Sequence, residues 1–424
     1  LVFRPIPNSR REVESFQQKR LDGFLSTTLT HSPFYRSLAL SRAKLKEYPI
    51  IQKKAFMSNF SDINTLGIGL EEAMNVALEA EKSRDFSSTI DGVSVGLSTG
   101  TSGTRGLFLV SDQERSAWTA MVLKRVIKPK LFKRQKVAFF LRANNNLYTS
   151  VNSSLFDFRF FDIFRPLDEL VSDLGAFAPD VLAAQPSVLM ELCNRQTSGE
   201  LTVKLNQVIS FAEVLEDDVK RKVESVFATS ITEVYQCTEG FLGVTCSHGT
   251  MHINEDVIIM EKEAIDNRRF YPIITDFTRT SQPVVRYMLD DILVERLDPC
   301  PCGSAFWALE SIVGRSDDTL RFLGVSGEVA MYADVICRRI ALEVESFTNY
   351  QIIQENNSSL KIFLKSDEGL QQKISGAMIA CIDKLLKEFG VVNVSVEVGP
   401  WAEHYQEVGG KFRRVIRLNR SSTP

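Results

Sequence analysis

Between residues 90 and 300, short apolar runs alternate with amphipathic stretches, and this alternation limits the possible folds more than any other feature. Residues 137–141 (VAFFL), 181–184 (VLAA), 207–211 (QVISF) and 231–235 (ITEVY) read as strands, and residues 216–227 as a helix. Strand and helix taking turns along the chain imply an α/β body around a largely buried sheet. The first forty residues read as helical, with Ser9 as cap and Val13, Phe16, Leu21, Phe24 and Leu25 at helical spacing.

The last hundred residues follow a different plan. A short helix is expected over 334–344, then strands over 350–354 and 360–364 joined across an ENNS turn. A long helix follows, capped by Ser366 or Asp367, with Leu370, Ile374, Ala377, Met378, Cys381, Leu385 and Phe389 on one face and Gly390 at its end. Val392, Val394, Val396 and Val398 then alternate as a strand. The expected architecture is a large N-terminal α/β domain, residues 1–316, and a small α+β domain, residues 317–424, with the boundary near 314–318.

Composition removes several classes of function. The 424 residues suffice for two or three domains, and 50 basic against 53 acidic side chains leave a net charge of −3. No global basic field argues for nucleic acid. No apolar run reaches the roughly 20 residues of a membrane helix. The opening LVFRPIPNSRREVE is charged too early for a secretory signal, and seven cysteines do not suggest a disulfide framework, so a cytoplasmic protein is expected. Seven Lys and Arg side chains between Lys124 and Lys136, with no acid among them, could meet a phosphorylated cofactor or an acidic carrier protein. The plainer reading is a solvated helix end.

The segment GLSTGTSGTRG (96–106) is rich in glycine and hydroxyls between two apolar runs, and such a loop can bring backbone N–H groups close to an anion. It fits neither the Walker A spacing nor the Gly-x-Gly of a dinucleotide fold, and its flanks read as strand–loop–strand. Ser111 or Asp112 could cap a later helix with Ala117, Met121 and Val122 on one face. A mobile hairpin turn is the bland alternative. Four further segments bear on it. In VYQCTEGFLG (234–243), Glu239 could hold Mg²⁺ and the Thr238 hydroxyl could contact a phosphoryl oxygen. The acids ending PVVRYMLDD (283–291) could accept hydrogen bonds from ribose. IVGRSDD (312–318) marks the domain junction, and GGKFRRV (409–415) presents a lysine after two glycines.

In this order, STGTSGTRG, YQCTEG, RYMLDD, GRSDD and GGKFRR resemble the adenylate-forming enzymes. SPFYRSL, HGTMHINED and CPCG narrow the resemblance to the phenylacetate–CoA ligase branch and its relatives that attach AMP to a deazaflavin coenzyme. It covers residues 15 to 417. The resemblance implies that Ser98, Thr99, Gly100, Thr101, Ser102, Gly103 and Thr104 wrap the β- and γ-phosphates of ATP. Ala212 and Glu213 would flank adenine and Tyr235 border the base. Thr238 would touch the α-phosphate, Glu239 hold Mg²⁺, and Asp291 bind the ribose hydroxyls with Arg315. Asp317 would be the hinge and Lys411 the mobile-domain lysine that reaches the reacting atoms. The implied activity is ATP-dependent activation of a carboxylic acid, aromatic by analogy with the branch, as acyl-adenylate. The acyl group would pass to CoA or to a carrier-protein thiol, with an amine or water as further acceptors; the branch suggests a homodimer.

Departures from the family pattern are specific. The loop ends in Arg105-Gly106 where Lys-Pro is usual, Gln236 replaces a glycine, and Asp290 competes with Asp291 in LDD. No proline follows GRSDD, which bears on CoA as acceptor more than on adenylation. Two other functions stay open at this level: transfer of AMP to a hydroxyl of a coenzyme-like acceptor, and nucleotide binding without catalysis.

The segment LRANNNLYTS (141–150) is a candidate for part of the acid pocket, or a polar surface loop. Cys246, His252, Cys300 and Cys302 could form a closed structural zinc site, with His248 as substitute ligand, or be inert cysteines. His31 and His404 have no assigned role.

Overall fold

A computed structural model describes residues 7–38, 44–98, 106–127, 133–141, 153–315, 319–325, 327–404 and 412–418. The chain divides into two compact units, residues 1–289 with 293–311, and residues 290–292 with 312–424.

The first unit opens with a helix, Arg10–Thr27, whose Ser9 side chain accepts the Glu12 N–H and which buries Val13, Leu21 and Phe24. A three-stranded antiparallel sheet follows: β1 (Thr89–Ile90), β2 (Val93–Leu97) and β3 (Leu107–Val110). The glycine-rich segment is therefore the connection of the β2–β3 hairpin. Gly96 and Phe108 are cross-strand partners there, and a β-carbon on Gly96 would stand 2.0 Å from the tip of the Phe108 ring. Only glycine lets that ring lie across the strand.

A twelve-stranded sheet forms the body. Its parallel part consists of β4 (Gln135–Leu141), β5 (Phe156–Asp162), β6 (Val181–Ala184), β7 (Gln207–Phe211) and β8 (Ile231–Cys237), ordered β5-β4-β6-β7-β8. All four residues of β6 are buried, as expected of a strand covered on both faces. Helices Leu167–Phe177, Pro186–Ser198 and Asp217–Phe227 supply Leu174, Leu189 and Val223 to that core.

Beyond β8 the sheet turns antiparallel through β9 (Gly240–Thr245) and β10 (Met251–Ile253). The path continues through β15 (Ala308–Arg315), β14 (Asp291–Glu295), β12 (Arg269–Asp276) and β11 (Ile258–Ala264), with β13 (Val284–Met288) paired to β12. β8 is thus the point where the sheet changes sense.

The second unit holds a hairpin, β16 (Leu320–Gly324) and β17 (Gly327–Met331), and a four-stranded sheet. That sheet consists of β18 (Phe347–Asn356), β19 (Ser359–Ser366), β20 (Ser395–Pro400) and β21 (Val415–Arg417), ordered β20-β19-β18-β21. Helices Ala333–Glu343 and Gln371–Glu388 bury Ile336, Ile340, Met378 and Leu385 against Ile352 and Ile362.

Two details correct the sequence reading. The long helix starts at Gln371, after a 3₁₀ turn, Glu368–Leu370; neither turn nor helix has a side-chain cap bond, and the Ser366 hydroxyl donates to Gln371 Oε1 at 2.7 Å. The valine strand starts at Ser395, because Asn393 adopts φ +59° and breaks the alternation that Val392 and Val394 suggest. The hairpin β16–β17 and the closing strand β21 add to the expected αββαβ order.

Candidate active site

The β2–β3 hairpin is closed by a reciprocal pair of hydrogen bonds. The Ser98 N–H donates to Gly106 O at 2.7 Å, and the Gly106 N–H donates to Ser98 Oγ at 2.7 Å. Residues Thr99, Gly100, Thr101, Ser102, Gly103 and Thr104 lie outside the described residues, as do Asp317, Lys411 and residues 142–150.

A clasp of polar side chains fixes the base of this hairpin. Buried Gln282 accepts the Leu109 N–H at 3.1 Å and donates to Leu107 O at 3.3 Å. Glu114 completes a capping box with Ser111 at the start of helix Asp112–Arg125. Its other carboxylate oxygen accepts the Thr280 and Ser281 N–H groups at 2.7 and 2.9 Å. Sequence reading did not single out Gln282 or Glu114. The Ser111-to-Glu114 spacing is the sequence signal that could have found the capping box, but nothing local points to the long-range bonds.

Thr238 and Glu239 form the two-residue connection between β8 and β9, where Cys237 pairs with Gly240. The Thr238 hydroxyl donates to Glu239 Oε2 at 2.8 Å. A bulge at Tyr235 and Gln236, which pair with Gly243 and Phe241, twists this end of the hairpin. A β-carbon on Gly240 would stand 2.6 Å from Asp276 Oδ2, so glycine is what allows the Asp276 carboxylate to approach the turn. Burial raises Asp276 to about 6, against the Thr278 hydroxyl and N–H and the Arg279 charge, which favour the carboxylate, and with Glu114 adding to the rise. Thr238, Glu239 and Gly106 line one small pocket, together with Lys53 and Arg279. The end of the glycine-rich segment and the Thr-Glu turn, more than 130 residues apart in sequence, therefore meet.

Ala212 and Glu213 directly follow β7, and Tyr235 lies on the adjacent parallel strand β8, where Phe211 pairs with Val234. All three sit at the carboxyl ends of neighbouring parallel strands, the side on which open α/β sheets bind ligands. Ala212 adopts φ +69°, and the Glu213 carboxylate accepts the Ser187 N–H and hydroxyl, each at 3.0 Å. Glu213 is thereby tied to the first turn of helix Pro186–Ser198, and Tyr235 is buried. Trp118 Nε1 donates to Gln236 Oε1 at 3.1 Å, so the residue that departs from the family glycine holds an indole. Asp291 begins β14 and Arg315 ends β15; both belong to the second unit.

The four metal-ligand candidates converge. One ligand atom from each of Cys246, His252, Cys300 and Cys302 lies within 4.8 Å of all the others. Cys246 and Cys300 sulfurs are 3.7 Å apart, and Cys302 Sγ is 3.3 Å from His252 Nε2. A tetrahedral zinc ion with Zn–S of about 2.3 Å and Zn–N of about 2.0 Å sets its ligand atoms about 3.5–3.8 Å apart, so the donor set and spacing fit. His252 Nδ1 lies 3.0 Å from Phe306 O; donation there leaves Nε2 to face the sulfurs, the usual second-shell arrangement of a metal-binding imidazole. His248 is exposed and outside this group.

The basic stretch is partly consumed by structure. Arg125 forms a buried ion pair with Asp256, Lys133 pairs with Asp180 at 2.7 Å, and Lys136 donates to Phe177 O at 2.9 Å.

The fold is shared with solved acyl-CoA ligases, and the sequence is similar to a phenylacetate–CoA ligase. No family model matches the chain. A phenylacetate–coenzyme A ligase of Thermus thermophilus is 23% identical over 275 residues, 58% of this chain and 61% of that protein. The chain thus spans about three-fifths of the curated relative it matches. Protein CapK of Staphylococcus aureus is 23% identical over 155 residues, 36% of this chain and 34% of that one. Among solved structures, a 2-hydroxyisobutyryl-CoA ligase in the postadenylation state superposes with a TM-score of 0.71 at 16% identity, covering 97% of this chain and 90% of the other. The anthranilate CoA ligase AuaEII gives 0.52 at 13% identity over 74% and 65%. No helix among the described residues is long and apolar enough to cross a membrane.

Proposed function

We propose that this chain activates a small-molecule carboxylic acid with ATP, releasing pyrophosphate, and then transfers the acyl group to CoA. The observation that carries the reading is the pocket where Gly106, at the end of the glycine-rich segment, meets Thr238 and Glu239. That meeting brings the end of the glycine-rich segment, a hydroxyl and a carboxylate to one place, on the fold of enzymes that use ATP in this way. The 2-hydroxyisobutyryl-CoA ligase has been solved with an acyl-AMP and with CoA, and AuaEII with anthranoyl-AMP, which supports both half-reactions here.

A carboxylate cannot expel oxide, so it first attacks the α-phosphorus and converts its oxygen into part of an AMP leaving group. Negative charge grows on the equatorial and bridging oxygens during that step, and fixed donors stabilise it. Ser98 with residues 99–104 would enclose the β- and γ-phosphates, held at the strand ends by the Ser98–Gly106 pair. Thr238 would donate to the α-phosphate, and Ala212 and Tyr235 would border adenine, with Glu213 holding that segment in place. Asp291 and Arg315 would take the ribose, and Lys411, past a hinge at Asp317, would approach the reacting oxygens. Glu239 would hold Mg²⁺, which supplies charge neutralisation on the phosphates. Cys246, His252, Cys300 and Cys302 would hold a structural zinc ion that ties the β9–β10 hairpin to the 296–307 loop. The preferred acid is aromatic on the resemblance to the branch.

The test supplies ATP, an acid and CoA and measures AMP and acyl-CoA together. Equimolar appearance of both supports the reading. AMP transferred to a hydroxyl acceptor, without acid dependence, would replace it.

A further inference from the structure

The pocket beside Thr238 and Glu239 also presents two cations that the preceding roles do not use, Lys53 and Arg279. Lys53 is the first residue of helix Lys53–Ser58, and that helix is pinned at both ends. Ahead of it, the Ile51 N–H donates to Arg286 O and the Met288 N–H donates to Ile51 O, each at 3.0 Å, tying the chain to β13. One turn after Lys53, Met57 Sδ accepts the Leu107 N–H at 3.4 Å, docking the helix on the start of β3. Residues four apart share a helix face, so Lys53 is presented to the same hairpin as Met57. Its Cε lies 3.3 Å from where a β-carbon on Gly106 would stand. Arg279 is anchored on the hairpin by a 3.2 Å bond from Nη2 to Leu109 O. Residues 98–106 themselves contain no lysine; their one cation in the sequence is Arg105, where the usual pattern has Lys-Pro.

We infer that Lys53, backed by Arg279, supplies a positive charge beside the end of the glycine-rich segment and binds the β- and γ-phosphates of ATP, an inference that rests on the adenylation reading. When the carboxylate oxygen bonds to the α-phosphorus, the bond from that phosphorus to the bridging oxygen breaks. The electron pair stays on the departing pyrophosphate. An ammonium group on a flexible stem is a point charge with three donors, suited to a leaving group that gains charge as it moves away. The helix that carries it is fixed to β3 and β13, so the charge is in place before ATP arrives.

Full-length wild-type and Lys53→Met proteins would be titrated with ATP, inorganic pyrophosphate and AMP, each with Mg²⁺, by calorimetry. Lys53→Met should weaken ATP and pyrophosphate about tenfold or more and leave AMP unchanged, with Lys53→Arg recovering most of the loss. Thermal midpoints report folding, and Lys53→Gln replaces the methionine variant if that one fails to fold. Equal loss of ATP and AMP, or no loss of either, overturns the inference. Wild-type protein that binds ATP but shows no acid-dependent turnover overturns adenylation and leaves the Lys53 result to stand on binding. Wild-type protein that binds neither nucleotide overturns both.

Discussion

Ser98 and Gly106 hold each other through two 2.7 Å hydrogen bonds, one backbone to backbone and one from the Gly106 N–H to the Ser98 hydroxyl. This pair sets where the glycine-rich connection leaves β2 and re-enters β3. Ser98→Ala removes the acceptor for a half-buried N–H and costs about 1 kcal/mol of local order. Such a loss corresponds to about a fivefold weaker ATP affinity. The measurement is ATP titration beside a thermal midpoint that stays near wild type. Unchanged affinity would mean that the closure does not shape the phosphate site.

Lys411→Ala should abolish adenylate formation while ATP binding stays largely intact. A single charge placed against a transition state is worth about 3–4 kcal/mol, a loss of two to three orders of magnitude in rate. Single-turnover formation of AMP and pyrophosphate reads the effect. Near-normal turnover would remove Lys411 from the chemistry.

The convergence of Cys246, His252, Cys300 and Cys302 predicts about one zinc per chain in protein purified without chelator. Cys302→Ser should lower both the zinc content and the thermal midpoint, since structural zinc contributes directly to folding. A stoichiometry near zero would leave these four as ordinary side chains.

Asp276 gives a pH signature in stability. Its folded-state value is about 6 against an ordinary 3.8, chiefly because burial disfavours the charge. Below pH about 4 both folded and unfolded chains hold this proton, so the contribution is fully present. As pH rises through the window up to about 6, the unfolded chain releases the proton first and stability falls. The loss totals about 3 kcal/mol by neutral pH. Asp276→Asn keeps the Oδ1 acceptor for Thr278 and has no proton to lose. Denaturant midpoints at pH 4 and pH 7 should therefore converge on, and then favour, the variant as pH rises. A pH-independent difference between the two proteins would contradict the assignment.

The α/β fold was legible because a parallel sheet covered on both faces requires short continuous apolar runs, and 181–184 and 207–211 supply them. The connection at 98–106 was legible as strand–loop–strand because apolar alternation precedes it and a continuous apolar run, 107–110, follows directly after Gly106. Gln282, Glu114, Asp276, Lys53 and Arg279 were not legible. Each acts on a segment far away in sequence, and periodicity carries no information about which distant backbone a polar side chain will reach. Glu114 shows both sides of this: its capping-box spacing with Ser111 is local, whereas its bonds to Thr280 and Ser281 are not. The late start of β20 was missed because a valine at every second position looks like strand until Asn393 takes a left-handed turn.

The central claim is carboxylate activation, and ATP–pyrophosphate exchange with Mg²⁺ across a panel of aryl and alkyl acids tests it without needing the acceptor. Exchange that depends on one class of acid is the predicted result, and it names the substrate class. Absence of exchange with every acid, in protein that binds ATP, would contradict the account.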